Sequence, residues 1–311
     1  MPRKEFRTIL SAMFTKKRSD GTYIRDLPHF TRMMPYLMPR RSDATIFLEQ
    51  DFDVTEAMRY LRAANGSGGP DGRRTTLFQV FLCASVRTIA LRPKLNRFIA
   101  GYRYYQRNRI VFNFVAKKEL SDEGVEINAT LAFSPFETLS TVTGKVSGYV
   151  SGLKKGAGTK ADRLNEFVAK LPRWAIRLVV RCYYLLDYWN GLPASAINEL
   201  PFFASVFFTN VGSIGMDAPL HHSFEFGTCG LFVAIGKLRR ENVLADDGSV
   251  RRREKIRVTF TYDDRIADGF YCGRAIDLLR FFVEHPSALE QPPVLSEAQL
   301  EDLALKDSPG V

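Results

Sequence analysis

Between Ile256 and Tyr262 apolar and polar residues alternate without a break, with Ile256, Val258, Phe260 and Tyr262 on one side and Arg257, Thr259 and Thr261 on the other. A period of two marks a strand with one face buried and the other in water. The same alternation recurs at Ile46, Leu48 and Phe52, set against Glu49, Asp51 and Asp53, and again at Ile110, Phe112 and Phe114. It returns at Ile127, Ala129, Leu131 and Phe133, and the turn-like Ser121-Asp122-Glu123-Gly124 predicts that these last two strands form an antiparallel pair. Residues 75–91 differ: they are apolar around much of a helical circumference, which predicts a core helix ending before Pro93. Further helices are expected over about 55–64, 138–153 and 270–284, with strands around 206–211 and 231–235.

With 311 residues, 45% apolar and 25% charged, the chain can bury a sizeable core as one large domain or two small ones, which excludes disorder as its default state. A mean hydropathy of -0.14, without an apolar run near ~18 residues, argues against a spanning helix. The start, MPRKEFRTIL, lacks the apolar stretch and cleavage site of a secretory signal, so a cytoplasmic location is expected. Cys83, Cys182, Cys229 and Cys272 are scattered singly without metal-ligand spacing; they are read as core thiols, and no metal site is expected. Three parts are expected: a basic arm over 1–28, a body over 29–285, and an acidic, proline-containing loose tail over 286–311.

Four stretches, in order, resemble the catalytic domain of the 2-oxo acid dehydrogenase acyltransferases, relatives of chloramphenicol acetyltransferase, and together cover about residues 42–284. They are Asp51-Phe52-Asp53-Val54-Thr55, like the family's EVDVT; Arg92-Pro93-Lys94-Leu95-Asn96, like its P-x-L-N turn; Thr209-Asn210-Val211-Gly212-Ser213-Ile214-Gly215, like its S-N-x-G-S-x-G turn; and Asp263-Asp264-Arg265-Ile266-Ala267-Asp268-Gly269, placed like its H-x-x-x-D-G signature. The resemblance implies a chloramphenicol acetyltransferase-like α/β fold, an α+β two-layer sandwich with a mixed sheet and helices packed on one side. It also implies a homotrimer with sites between subunits, and acyl transfer between coenzyme A and a thiol or hydroxyl acceptor. A helical insertion is expected at about 160–198. No lipoyl domain or subunit-binding module is recognisable, so the chain is expected to be a free-standing relative with no lipoyl group of its own and with acyl-CoA as substrate.

Such chemistry needs a base for the acceptor proton and a donor to the oxyanion of the tetrahedral intermediate. Thr209 stands at the family's hydroxyl position, where a donor is typically worth ~3 kcal/mol. The histidine position is Asp264, whose reference pKa lies about 2.6 units below that of histidine, making it a poorer acceptor for a thiol proton. An imidazole is available instead from His221 or His222, in a loop a few residues longer than the family's. In the relatives the residue at Asp268 orients an arginine; from position alone it reads as the N-cap of the last helix. Asn210 and Gly212 are weak candidates for coenzyme contacts. The alternative is a catalytically inactive oligomeric binding or scaffold protein.

The inserted stretch Leu171–Trp189 carries Arg173, Arg177 and Arg181 in one stripe beside Tyr184 and Tyr188, with apolar residues around the rest. Two readings follow: a core or subunit-contact helix, favoured by the wide apolar arc, and a peripheral membrane contact through 172–189. A charge of +10 favours anionic partners. The aromatic-basic run 102–107 would suit unpaired bases, yet no nucleic-acid motif accompanies it and that partner is not expected.

Overall fold

The computed structural model describes residues 17–68, 72–117, 126–154, 168 and 170–305. Its strands are β1 (Gly21–Tyr23), β2 (Thr45–Asp53), β3 (Arg97–Ala100), β4 (Arg103–Arg107), β5 (Ile110–Lys117), β6 (Glu126–Phe133), β7 (Val206–Asn210), β8 (Leu231–Leu244) and β9 (Val250–Asp263). Its α-helices are α1 (His29–Leu37), α2 (Thr55–Gly66), α3 (Leu77–Leu91), α4 (Leu139–Lys154), α5 (Arg173–Tyr188), α6 (Ala194–Glu199), α7 (Gly269–Glu284) and α8 (Glu297–Leu303). Six strands form a mixed sheet in the order β2-β9-β8-β7-β5-β6; β7 runs parallel to both neighbours and the other adjacent pairs are antiparallel. A smaller sheet has the order β1-β4-β3. The loop expected between β5 and β6 lies outside the described residues.

The alternation read from the sequence decides the layering. Ile256, Val258, Phe260 and Tyr262 of β9 join Phe112, Phe114, Phe208 and Val233 in one core, against Ala57 of α2, nearly all of α3, Val142 of α4 and Leu279 of α7. The helix α3 is nearly all buried because it lies between the sheet and other helices. Its start is fixed by a capping box, with the Thr76 hydroxyl accepting from the Gln79 amide and the Gln79 carboxamide accepting from the Thr76 amide. The opposite face of the sheet carries a smaller apolar group, Val111, Phe207, Phe232 and Ala234, beneath Ala218 and Phe224.

Three expectations are corrected, and one sequence feature is placed. Over residues 286–305 the tail is not loose: Leu289 and Leu303 are fully buried in the main core, and α8 is closed by its own capping box at Ser296 and Gln299. The basic-aromatic run around 102–107 is largely interior. Tyr105 pairs with Tyr23 in the small sheet, and the buried Arg107 guanidinium donates to the carbonyls of Phe203 and Thr228. Cys182 is exposed, unlike the other three cysteines. Finally, α5 buries none of its residues, so it is not a core helix. Its C-terminal end is nonetheless held, because the buried Arg18 donates to the Asp187 carboxylate at 2.9 Å and also pairs with Asp20 at 2.8 Å.

Removing a fully buried side chain leaves both lost transfer energy and a cavity. Leu303→Ala is therefore expected to lower stability by about 2–5 kcal/mol, read as a fall in the urea midpoint; a neutral result would mean that the tail is only laid on the surface.

Candidate active site

Thr209 is the fourth residue of β7, and successive residues of a strand face opposite ways. Phe208 enters the helix-side core and Phe207 the outer group, so Thr209 points to the outer face. Its register partner is Ala234 on β8, which in turn pairs with Thr259 on β9. The chain then turns tightly. Gly212 has no room for a side chain, since an added Cβ would sit 2.2 Å from the carbonyl oxygen of Gly236 in the β8 bulge. Gly212 is thus required for close packing of the turn, and Asn210 precedes it at the turn's start, its carbonyl accepting from the Ser213 hydroxyl at 2.7 Å.

The loop after this turn lies along the outer face like an unpaired strand. The Thr259 hydroxyl donates to the Pro219 carbonyl at 2.5 Å, the Thr261 hydroxyl donates to the His221 carbonyl at 2.6 Å, and the Thr45 and Ser223 hydroxyls meet at 2.8 Å. The period of two on β9 is matched by a period of two in the loop. This seats the half-buried His221 ring flat on Phe232, with centroids 3.8 Å apart and planes 6° from parallel. Phe232 pairs with Phe207, so Thr209, two residues farther along β7, is its diagonal neighbour on the same face. His221 Nδ1 lies 2.8 Å from the His222 carbonyl oxygen; because a carbonyl only accepts, this assigns the proton to Nδ1 and leaves Nε2 as the acceptor. Burial lowers the His221 pKa from its ordinary value, the neighbouring His222 adds to this, and the His222 carbonyl partly opposes it. His222 is exposed and stacks on His221 at 4.6 Å.

Asp264 stands elsewhere. It follows β9, five residues beyond Thr259, which places it roughly 16 Å along the strand direction and two strands away from Thr209. Its electrostatic neighbours are Tyr262, Cys272 and Asp268, on the helix side of the sheet. One chain does not bring Asp264 and Thr209 together. The Asp264 carboxyl is held above the ordinary carboxylate range by burial first, then by the charges of Asp263 and Asp268. Cys272, next to it, is pushed up to about 12, chiefly by burial. Tyr262 and Cys272 also line an apolar cavity of about 70 Å³ between the sheet, α3 and α7. It is roughly half the volume that holds benzene in an engineered core, too small for a substrate chamber.

The residue that holds arginine is Asp263, not Asp268. Asp263 is 2% exposed; Arg265 donates to both its oxygens at 2.8 and 2.7 Å, and Arg41 approaches it at 3.8 Å. Arg265 also donates to the Met38 carbonyl at 2.7 Å, and Arg41 to the carbonyls of Phe224 and Gly227. Asp268 is exposed and caps α7, accepting from the Tyr271 amide at 2.9 Å. The expected arginine role therefore belongs to its neighbour five residues earlier, whose place on the Arg257, Thr259, Thr261 side of β9 was the available signal. Among the described residues no group of three metal-ligating side chains occurs.

This layering is shared with solved enzymes. The chain has the fold of the dihydrolipoamide acetyltransferase cores. A probable dihydrolipoamide acetyltransferase from Listeria monocytogenes superposes with a TM-score of 0.56 at 13% identity, over 85% of this chain and 95% of that one. The cubic core of the pyruvate dehydrogenase multienzyme complex gives 0.55 at 13% identity, over 86% and 93%. The Azotobacter vinelandii enzyme gives 0.56 at 15% identity, over 86% and 93%. No family model and no curated protein sequence matches the chain. The mixed sheet with its helices is the chloramphenicol acetyltransferase-like architecture expected from the sequence.

Two outcomes follow from the carboxylates. Asp263→Ala leaves buried guanidinium groups without their anion and is expected to cost about 3–5 kcal/mol, read by denaturant unfolding. Asp264 behaves oppositely. A carboxyl whose folded pKa is raised stabilises only below its unfolded pKa, and that benefit is lost as pH rises, so at neutral pH its charge works against folding. Asp264→Asn should raise the melting temperature at pH 7, with the gain vanishing in acid; a lowered melting temperature at pH 7 would contradict this.

Proposed function

We propose that the protein transfers an acyl group between coenzyme A and a thiol or hydroxyl acceptor on the outer face of the sheet, with Thr209 as oxyanion donor and His221 as base. The observation that carries this reading is the seating of His221 on Phe232, one diagonal step from Thr209, with Nδ1 held by a carbonyl and Nε2 left to accept. In the Azotobacter vinelandii enzyme a serine, a histidine and an asparagine four residues after it have been investigated for roles in catalysis. By the motif resemblance those positions are Thr209, Asp264 and Asp268 here, so the imidazole has to come from another part of the chain.

In the reaction, His221 Nε2 takes the acceptor proton as the acceptor sulfur or oxygen attacks the thioester carbonyl. The Thr209 hydroxyl donates to the resulting oxyanion. The intermediate collapses by breaking the carbon–sulfur bond, and the imidazolium returns its proton to the departing coenzyme A thiolate. Lys237 suits the coenzyme's phosphates: it lies in the β8 bulge against the Thr209 turn, and its pairing with Asp217 at 3.3 Å is exposed on both sides and so is weak. A homotrimer, as the resemblance implies, would wall the open outer face. The second reading, a binding or scaffold protein without turnover, is favoured by one feature, the aspartate at 264 where the motif resemblance would have an imidazole.

The two are separated by incubating the protein with acyl-CoA and thiol or hydroxyl acceptors and following free thiol. Thr209→Ala is expected to lower kcat by roughly 10²–10³ and His221→Ala by roughly 10²–10⁴, while Asp264→Asn leaves it within a few-fold. Because the His221 pKa is lowered, the base is neutral throughout the neutral range, and the acid limb of the rate profile should fall below pH ~6.5. Coenzyme A binding without turnover would support the scaffold reading, and loss of activity only in Asp264→Asn would return the base to Asp264.

A further inference from the structure

Two helices present apolar surface that the other described residues leave open. On α5, a spacing of roughly 100° per residue brings Trp174, Leu178 and Leu185 within about 40° of one another, and they are 69%, 54% and 54% exposed. Beside them runs an exposed stripe of Arg173, Arg177 and Arg181. The opposite side of α5 is the docked one, where Tyr183 and Leu186 pack against Leu192, Ile197 and Phe203. On α1, Phe30, Met33 and Leu37 are likewise exposed.

The two faces adjoin. Tyr36 of α1 stacks on Tyr102 at 5.0 Å, and Tyr102 meets Tyr188 of α5 edge-on at 6.0 Å. A groove beside Tyr36 and Tyr102 carries Arg25, Arg32 and Arg103. The two segments approach closely at this junction, since a Cβ on Gly101 would collide with the Tyr188 carbonyl oxygen. Among the described residues none of these six arginines has a carboxylate partner.

We propose that α1, α5 and the groove between them form a docking surface for a bilayer containing anionic phospholipids. The Trp174, Leu178 and Leu185 ridge enters the boundary between headgroups and acyl chains, and the arginines meet the headgroup phosphates. Charge selects this occupant. A second copy placed face to face would set Arg173, Arg177 and Arg181 against their own counterparts, whereas an anionic lipid surface supplies opposite charge. Tyrosines and a tryptophan at the edge of the apolar ridge suit an interface that is wet on one side. The contact is peripheral, because no helix among the described residues is long and apolar enough to cross a membrane.

Flotation of the full chain with vesicles tests the proposal. It is expected to float with an equal mixture of phosphatidylcholine and phosphatidylserine, not with phosphatidylcholine alone, and to be released by high salt. Combining Arg173→Gln, Arg177→Gln and Arg181→Gln should reduce partitioning about 100-fold, near fivefold for each arginine, without changing the melting temperature, since all three are exposed. Trp174 and Trp189 are the only tryptophans, so Trp189→Phe leaves Trp174 as sole reporter, and its emission should shift to the blue on vesicle binding. No flotation, or flotation insensitive to the arginine variant, would overturn the proposal. So would self-association, measured by sedimentation velocity, that the same variant abolishes in protein that ignores vesicles; that result would assign the face to a second copy.

Discussion

The buried carboxylate of Asp263 ties together three parts of the chain that are remote in sequence. Arg265 grips both its oxygens and reaches back to the Met38 carbonyl after α1, while Arg41 approaches the same carboxylate and holds the carbonyls of Phe224 and Gly227. Two guanidinium groups out of water are tolerable only because an anion and several carbonyls replace the lost hydration. The consequence is positional. The end of β9, the segment after α1 and the far end of the 216–224 loop are locked to one another. That loop carries His221, and without its anchor it would be held on the sheet by the hydroxyls of Thr259, Thr261 and Thr45 and by the Lys237 amide on the Met216 carbonyl.

The two faces of the sheet thereby acquire different tasks. The helix side is a dry core in which Phe52, Phe112 and Phe208 are completely buried. The outer side is shallower and mixes rings with hydroxyls: Phe232 beneath His221, Thr209 one diagonal step away, and Thr259 and Thr261 holding backbone. The proposed base and oxyanion donor lie on this second surface, where the strands fix their positions. Asp264 illustrates the contrast. The motif resemblance sets it at the signature position, yet within the chain its neighbours are Tyr262 and Cys272 on the core side, where burial raises its pKa without bringing it near Thr209.

Much of the architecture was legible because the relevant signals are local. Alternation marked β2, β5, β6 and β9, the all-round apolar stretch marked α3, and the four motif stretches, taken in order, identified the fold. The site was only partly legible. Thr209 could be placed from its turn, but the seat of His221 depends on hydroxyls of β9 that lie 40 residues away, a pairing no local pattern reveals. The arginine cluster on Asp263 has the same origin, since Arg41 and Arg265 converge on it only in three dimensions. The tail was misread because Leu289 and Leu303 are isolated apolar residues among polar ones, and only their neighbours in the core show that they are buried. For α5 the apolar arc was visible from sequence, but which part of it the body would cover was not.

The central claim is that acyl-CoA meets the chain on the outer face, around Thr209 and His221. Amide hydrogen exchange with and without coenzyme A tests it most directly, because it reports where the ligand protects backbone independently of turnover. The account predicts protection concentrated in residues 209–224 and in the β8 bulge at Gly236 and Lys237. Protection confined to the end of β9 and the start of α7, around Asp264 and Asp268, would contradict it.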